Sequence, residues 1–153
     1  MITDYHIKKM SPQLLVNNIE QSIEFYIQKL GFIIDFRYED FYAGISKDGC
    51  SIHLKCGKSS AEERKSKKDN EDLDIIFSVD AIENLYEALL NESIEVVQPL
   101  RLMPYGKEFY IADPDGHVIS FWKVYSPINK KPAFAKASAG KSGEGGIRTH
   151  GTV

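Results

Sequence analysis

The chain has 153 residues, of which 42% are hydrophobic and 27% charged, a composition typical of one globular domain able to bury a core without disulfide or metal staples. No apolar run approaches the roughly 20 residues of a membrane helix, and the N-terminus lacks the basic-then-apolar layout of a secretion signal, so a soluble, cytoplasmic protein with no membrane partner is expected. The net charge of −3 is uneven, because residues 128–153 set Lys130, Lys131, Lys136, Lys141 and Arg148 against Glu144 alone and leave Met1–Pro127 at about −7. With no basic stripe to neutralise phosphates, nucleic acid is not the expected partner.

In chain order, Leu14-Leu15-Val16 reads as a short strand, followed by Asn18 as a helix cap with Gln21 in the capping-box position. Ile19, Ile23, Tyr26, Ile27 and Leu30 recur at helical spacing, and Gly31 supplies a left-handed end. Strands are expected over Phe32–Tyr38, Phe41–Ser46 and Ser51–Lys55. Cys50 and Cys56 are too few for a disulfide framework and are expected to be reduced and buried. Gly57–Asp72 is dense in Lys, Glu and Ser and reads as a mobile loop between modules.

The order then recurs. Ile75–Val79 is a strand, Asp80 a cap with Glu83 three residues on, and Ile82, Leu85, Leu89 and Leu90 an apolar helix face. Strands follow near Ile94–Gln98, Glu108–Ala112 and Val118–Val124. The offset from Val16 to Val79 nearly equals that from Gly49 to Gly116, as an internal duplication requires. The expected fold class is α+β, with two paired βαβββ modules (about 11–56 and 73–124) in one domain, 1–127, and a disordered tail, 128–153. Gly140-Lys141-Ser142 in that tail is not a phosphate loop, because Ala135 stands where such a loop needs glycine. One βαβββ unit cannot cover both faces of its sheet, so the pair is expected to leave a concave cleft.

Strand alternation sorts side chains to or from that cleft. Ile52 and Leu54 face the helix, leaving Ser51, His53 and Lys55 to the cleft. In the last strand Val118, Ser120 and Trp122 face it, with Ile119 and Phe121 beneath the helix. Ser11, Gln13 and Leu15 in the first strand, and Asp74, Ile76 and Ser78 in the fifth, share the cleft face.

A duplicated βαβββ cleft, the turn Asp113-Pro114-Asp115-Gly116-His117-Val118-Ile119, and Ser22-Ile23-Glu24-Phe25-Tyr26 through Leu30-Gly31-Phe32 together resemble the vicinal oxygen chelate superfamily of glyoxalases, extradiol dioxygenases, fosfomycin-resistance enzymes and bleomycin resistance proteins. Within it, Asp35-Phe36, Glu39-Asp40-Phe41, Ala43-Gly44 and Gly106-Lys107-Glu108-Phe109 are similar to the bleomycin resistance hairpins. Pro12 stands where those proteins hinge an exchanged N-terminal strand. The resemblance implies a homodimer with ligand grooves at the subunit interface.

The superfamily's enzymes hold a divalent metal with one His, Glu or Gln from each of four equivalent strands. By that equivalence this chain offers Ser11, His53, Asp74 and Ser120, with the register at Ser11 and Asp74 open by one residue. Neutral Ser oxygens are weak donors beside imidazole and carboxylate, and neither His6 near the terminus nor His117 beside the turn repairs the set, so no metal and no other cofactor is expected. His53 has no assignable carboxylate to orient it as a base, and the Asp113–Gly116 turn is read as structural. No catalytic residue is assigned, and the reading is a binding protein rather than an enzyme. The cleft's chemistry is aromatic and acidic: Asp35, Phe36, Phe41, Tyr42, His53 and Trp122 are the candidate ligand-binding residues, with Tyr38, Tyr105, Tyr110, Glu39, Asp40 and Glu108 nearby. Such a surface suits a planar, cationic small molecule of the bleomycin kind. The alternative is a metal-dependent glyoxalase- or dioxygenase-type lyase or isomerase.

Overall fold

The computed structural model describes residues 1–126, and the expected tail, 128–153, lies outside the described residues. Two four-stranded sheets carry the chain. The first module runs β1 (Gln13–Val16), α1 (Ile19–Glu24), a π-helical turn (Phe25–Lys29), β2 (Ile33–Tyr38), β3 (Tyr42–Lys47) and β4 (Cys50–Cys56). After α2 (Ala61–Asn70), the second runs β5 (Ile75–Ser78), α3 (Ile82–Leu90), β6 (Glu95–Met103), β7 (Gly106–Ala112) and β8 (Val118–Val124). Strand orders are β1-β4-β3-β2 and β5-β8-β7-β6, with β1 parallel to β4 and β5 parallel to β8. The duplicated α+β architecture is therefore the observed one.

Local chemistry explains the first helix. Asn18 is extended and its side chain accepts from the Gln21 amide at 3.1 Å, satisfying a donor that the helix cannot. Gly31, at φ +72°, ends it in the left-handed region, donating to the Ile27 carbonyl while Phe32 donates to that of Tyr26. The second helix of the repeat is capped differently from expectation. Ala81, not Asp80, is the cap of α3 and has no side-chain oxygen to offer, and Glu83 pairs with Lys107 rather than reaching back.

The segment expected to be a loop is the helix α2. Ser60 accepts from the Glu63 amide, Glu62 and Glu63 occupy the first turn, and Lys67 and Lys68 the last, an arrangement that complements the helix dipole. α2 buries no residue of its own. Ion pairs hold it, from Arg64 and Lys67 to Asp74, from Lys68 to Glu95, and from Glu71 just past its end to Arg101. Arg64 and Lys68 also press on Gly116, so α2 is laid across this end of the second sheet.

The helix-facing alternation holds: Ile52, Leu54, Ile119 and Phe121 join one core cluster that includes residues of both modules. Rings carry it across the boundary, with Phe32 6.0 Å from Phe77 and Phe77 5.6 Å from Phe121. A polar knot closes the same junction: the Tyr26 hydroxyl donates to Asp113 at 2.9 Å, and Ser22 and the Asn17 amide donate to Asp115. Cys50 and Cys56 are exposed, not buried, and are the end residues of β4. No helix among the described residues is long and apolar enough to cross a membrane.

Candidate functional site

The face of the first sheet turned away from the core carries a row of four residues in register: Gln13 on β1 opposite His53 on β4, then Gly44 on β3, then Phe36 on β2. An irregularity between Ile34 and Phe36 resets the alternation of β2 so that Phe36 meets Gly44, and the ring settles there. Phe36 lies edge-on to His53 (5.3 Å, 88°) and nearly parallel to Tyr42 (6.1 Å, 14°). Tyr42 is itself perpendicular to His53, and Phe41 and Tyr38 extend the aromatic surface outward.

Hydrogen bonds fix the polar groups among these rings. The Gln13 amide nitrogen donates to the Tyr42 hydroxyl at 3.0 Å, and that hydroxyl lies 2.9 Å from His53 Nδ1. The hydroxyl can donate to Nδ1 in one ring tautomer or accept from it in the other, and in both Nε2 is the ring nitrogen that Tyr42 does not engage. Asp35 accepts from Ser46 and pairs with Lys9 at 3.5 Å. The Ser46 hydrogen bond, ahead of burial acting the other way and of the Lys9 charge, holds its carboxyl below the usual range.

The corresponding face of the second sheet is packed at its centre. Ser120, Tyr110 and Glu108 are all buried. Glu108 accepts from the Tyr105 and Tyr110 hydroxyls and from Arg101 Nε at 2.9 Å. Burial raises its affinity for a proton, but the two phenols and the guanidinium outweigh burial and leave the carboxyl below its ordinary value. Burial first, then the bond to Glu108, pushes Tyr105 up to about 12. Trp122 pairs with Glu108 across the strands and packs edge-on against Tyr105 at 5.9 Å.

Of the expected binding residues, Asp35, Phe36, Phe41, Tyr42 and His53 are gathered on the first sheet, while Trp122 stands on the second. The acidic character foreseen for the groove is largely spent on neighbours, since Asp40 is paired with Arg37, and Glu108 with Arg101. Sequence reasoning missed Gln13 as a partner of the site, although alternation had put it on the right face, and missed Arg101, which lies beyond the expected end of its strand.

The model of the Glyoxalase/Bleomycin resistance protein/Dioxygenase superfamily matches residues 6–121. The chain belongs to this superfamily. No curated protein sequence matches it. Among solved structures of similar fold are UcmS2 (20% identity, TM-score 0.63, 77% of this chain and 98% of that one) and TioX from Micromonospora sp. ML1 (16%, 0.62, 77% and 99%). A third is TnmS3, described as an antibiotic binding protein from Streptomyces sp. CB03234 (16%, 0.60, 82% and 100%).

The enzymes of the Glyoxalase/Bleomycin resistance protein/Dioxygenase superfamily imply a metal, and the register tests the fit. Gln13, not Ser11, faces His53, and Ile76, not Asp74, faces Ser120. Ser11 instead bonds Ser51, and Asp74 is engaged by Arg64, Lys67 and the Val118 amide. The four places thus hold an amide, an imidazole whose Nδ1 is taken, a hydrocarbon and a buried hydroxyl. One imidazole with neither a second imidazole nor a carboxylate or thiolate beside it does not suit a divalent ion. A second trio, Asp113, Asp115 and His117, brings its ligand atoms within 4.8 Å of one another. Each carboxylate oxygen there already accepts a hydrogen bond, from Tyr26, Ser22, the Asn17, Asp115 and His117 amides and the His117 ring. That trio is the tie between modules.

Proposed function

We propose that this protein is a metal-independent binding protein of the bleomycin-resistance type, taking up a planar, ring-bearing small molecule without chemical change. The observation that carries the reading is the ring surface of Phe36, Phe41 and Tyr38, exposed to solvent beside the half-buried Tyr42 and His53. Rings left in water on a groove floor gain on the order of 1–3 kcal/mol per stacked partner, and His53 Nε2 supplies one directional bond. A cationic group on the ligand takes over Asp35 from Lys9, whose long and half-exposed pair is worth little. A fold shared with a protein described as antibiotic binding supports the same ligand class.

The proposed active unit is a homodimer in which Trp122 of one copy completes the groove floored by Phe36 of the other. Exposed apolar side chains support it: Ile2, Tyr5, Ile7 and Met10 in the arm before Pro12, Leu15 and Phe41 beside the first groove, and Ile76, Leu102 and Tyr105 on the second module. Calorimetric titration with copper-free and copper-loaded bleomycin, alongside sedimentation, tests both parts. Saturable binding of either form by a dimer is the expected result. Heat-silent titration with both forms contradicts the ligand class, and a monomer at assay concentration contradicts the shared groove.

A further inference from the structure

Gly44 sits in the interior of β3, paired on both sides, with ordinary extended backbone. A glycine there weakens a strand and has no conformational excuse. Its surroundings supply the reason. A Cβ built at Gly44 would lie 2.3, 2.7 and 2.8 Å from Cε1, Cζ and Cδ1 of Phe36, so one edge of that ring occupies the space a side chain would take. Any other residue would drive the ring outward by about 1 Å or more to recover van der Waals distance.

The repeat offers an internal control. Gly44 faces His53 as Tyr110 faces Ser120. In the second module the strand therefore carries its own ring at the matching place, and that ring is covered: the Arg101 guanidinium lies 5.2 Å from the Tyr110 centroid, and Tyr110 is 5% exposed against 36% for Phe36. A cation over a ring beside a carboxylate is thus built into one half of the molecule, and in the other half the ring is open to solvent.

We infer that Gly44 is a positioning residue that seats Phe36 in the groove floor beside His53, and that the exposed side of this ring is the subsite for the flat part of the ligand. The inference rests on the binding function proposed above, and deepens it by assigning one ring subsite per chain, on the first module.

The test compares wild type, Gly44→Ala, Phe36→Leu and the double variant by thermal melting, by NMR of the His53 ring protons, and by calorimetry with copper-free bleomycin. Gly44→Ala should melt early and move the His53 signals as Phe36→Leu does. The double variant, which removes the ring the methyl collides with, should regain the lost stability. If Gly44→Ala does not fold, the double variant must still do so; a double variant no more stable than Gly44→Ala overturns the seating, as do His53 signals unmoved in a folded Gly44→Ala. Each single variant should bind bleomycin about tenfold more weakly, with one site per chain in wild type and no further loss in the double variant. Unchanged affinity in Gly44→Ala overturns the subsite. If wild type ignores bleomycin altogether, the ligand class proposed above fails, and the melting and NMR results alone decide the role of Gly44.

Discussion

Replacing Arg101 with alanine tests the electrostatics of the second sheet. Arg101 spans Glu108, whose side chain is 4% exposed, and Glu71, which is 41% exposed. Its removal leaves a buried carboxylate facing two phenols and no cation. Breaking a fully buried pair costs about 3–5 kcal/mol. Arg101 is itself 30% exposed, so solvent screening lowers the figure to about 2–3 kcal/mol, and the exposed Glu71 pair adds no more than about 1 kcal/mol. Urea denaturation should read a loss of about 3 kcal/mol at neutral pH, with Tm lower by roughly 10 °C. The pH dependence has a defined sign. In the wild type Glu108 is held below its ordinary value of 4.5, so its contribution is present above that value and fades as pH falls through the folded one. Without the guanidinium its proton affinity in the folded state rises, and the gap between variant and wild type should narrow on acidification below about pH 5. A loss under about 1 kcal/mol, constant with pH, would refute the reasoning by showing that water reaches Glu108.

Three further outcomes follow from the same geometry. Trp122→Ala should weaken copper-free bleomycin binding by about 1–3 kcal/mol in a calorimetric titration while leaving the dimer folded; unchanged affinity would remove Trp122 from the groove. Asp74→Asn should release α2, since Arg64 and Lys67 lose their counter-ion, and hydrogen exchange over Ala61–Asn70 should quicken with little change elsewhere; uniform exchange would mean that α2 is held by something other than charge. Tyr105, raised from 10.0 to about 12, stabilises the fold fully below pH 10 and loses that contribution as pH climbs through 12. Tyr105→Phe should therefore flatten the alkaline limb of the stability curve, and an unaltered limb would contradict the Glu108 contact.

The duplicated fold was legible because its signals are local: the Asn18 cap, the Gly31 end and strict alternation in Ser51–Lys55 require nothing from distant residues. What escaped is held from afar. α2 has no apolar face, so periodicity is silent, and its partners Glu95 and Arg101 lie on another strand. β6 was expected to stop near Gln98, yet it continues through Pro99 to Met103, as an edge strand with irregular register tolerates; that extension carries Arg101 to Glu108. At the site, parity put Gln13 and His53 on one face, but the parallel register that sets Gln13 rather than Ser11 opposite His53 is a property of pairing, invisible in either strand alone. Gly44 passed as a strand glycine because the ring that explains it comes from the neighbouring strand.

The proposed binding rests on ring contact in place of metal coordination. The most direct measurement is elemental analysis of the purified protein together with copper-free bleomycin titration before and after exhaustive chelation. The expected result is less than stoichiometric divalent metal and an affinity indifferent to the chelator. One tightly held ion per chain, lost together with binding on chelation and abolished by His53→Ala, would contradict it.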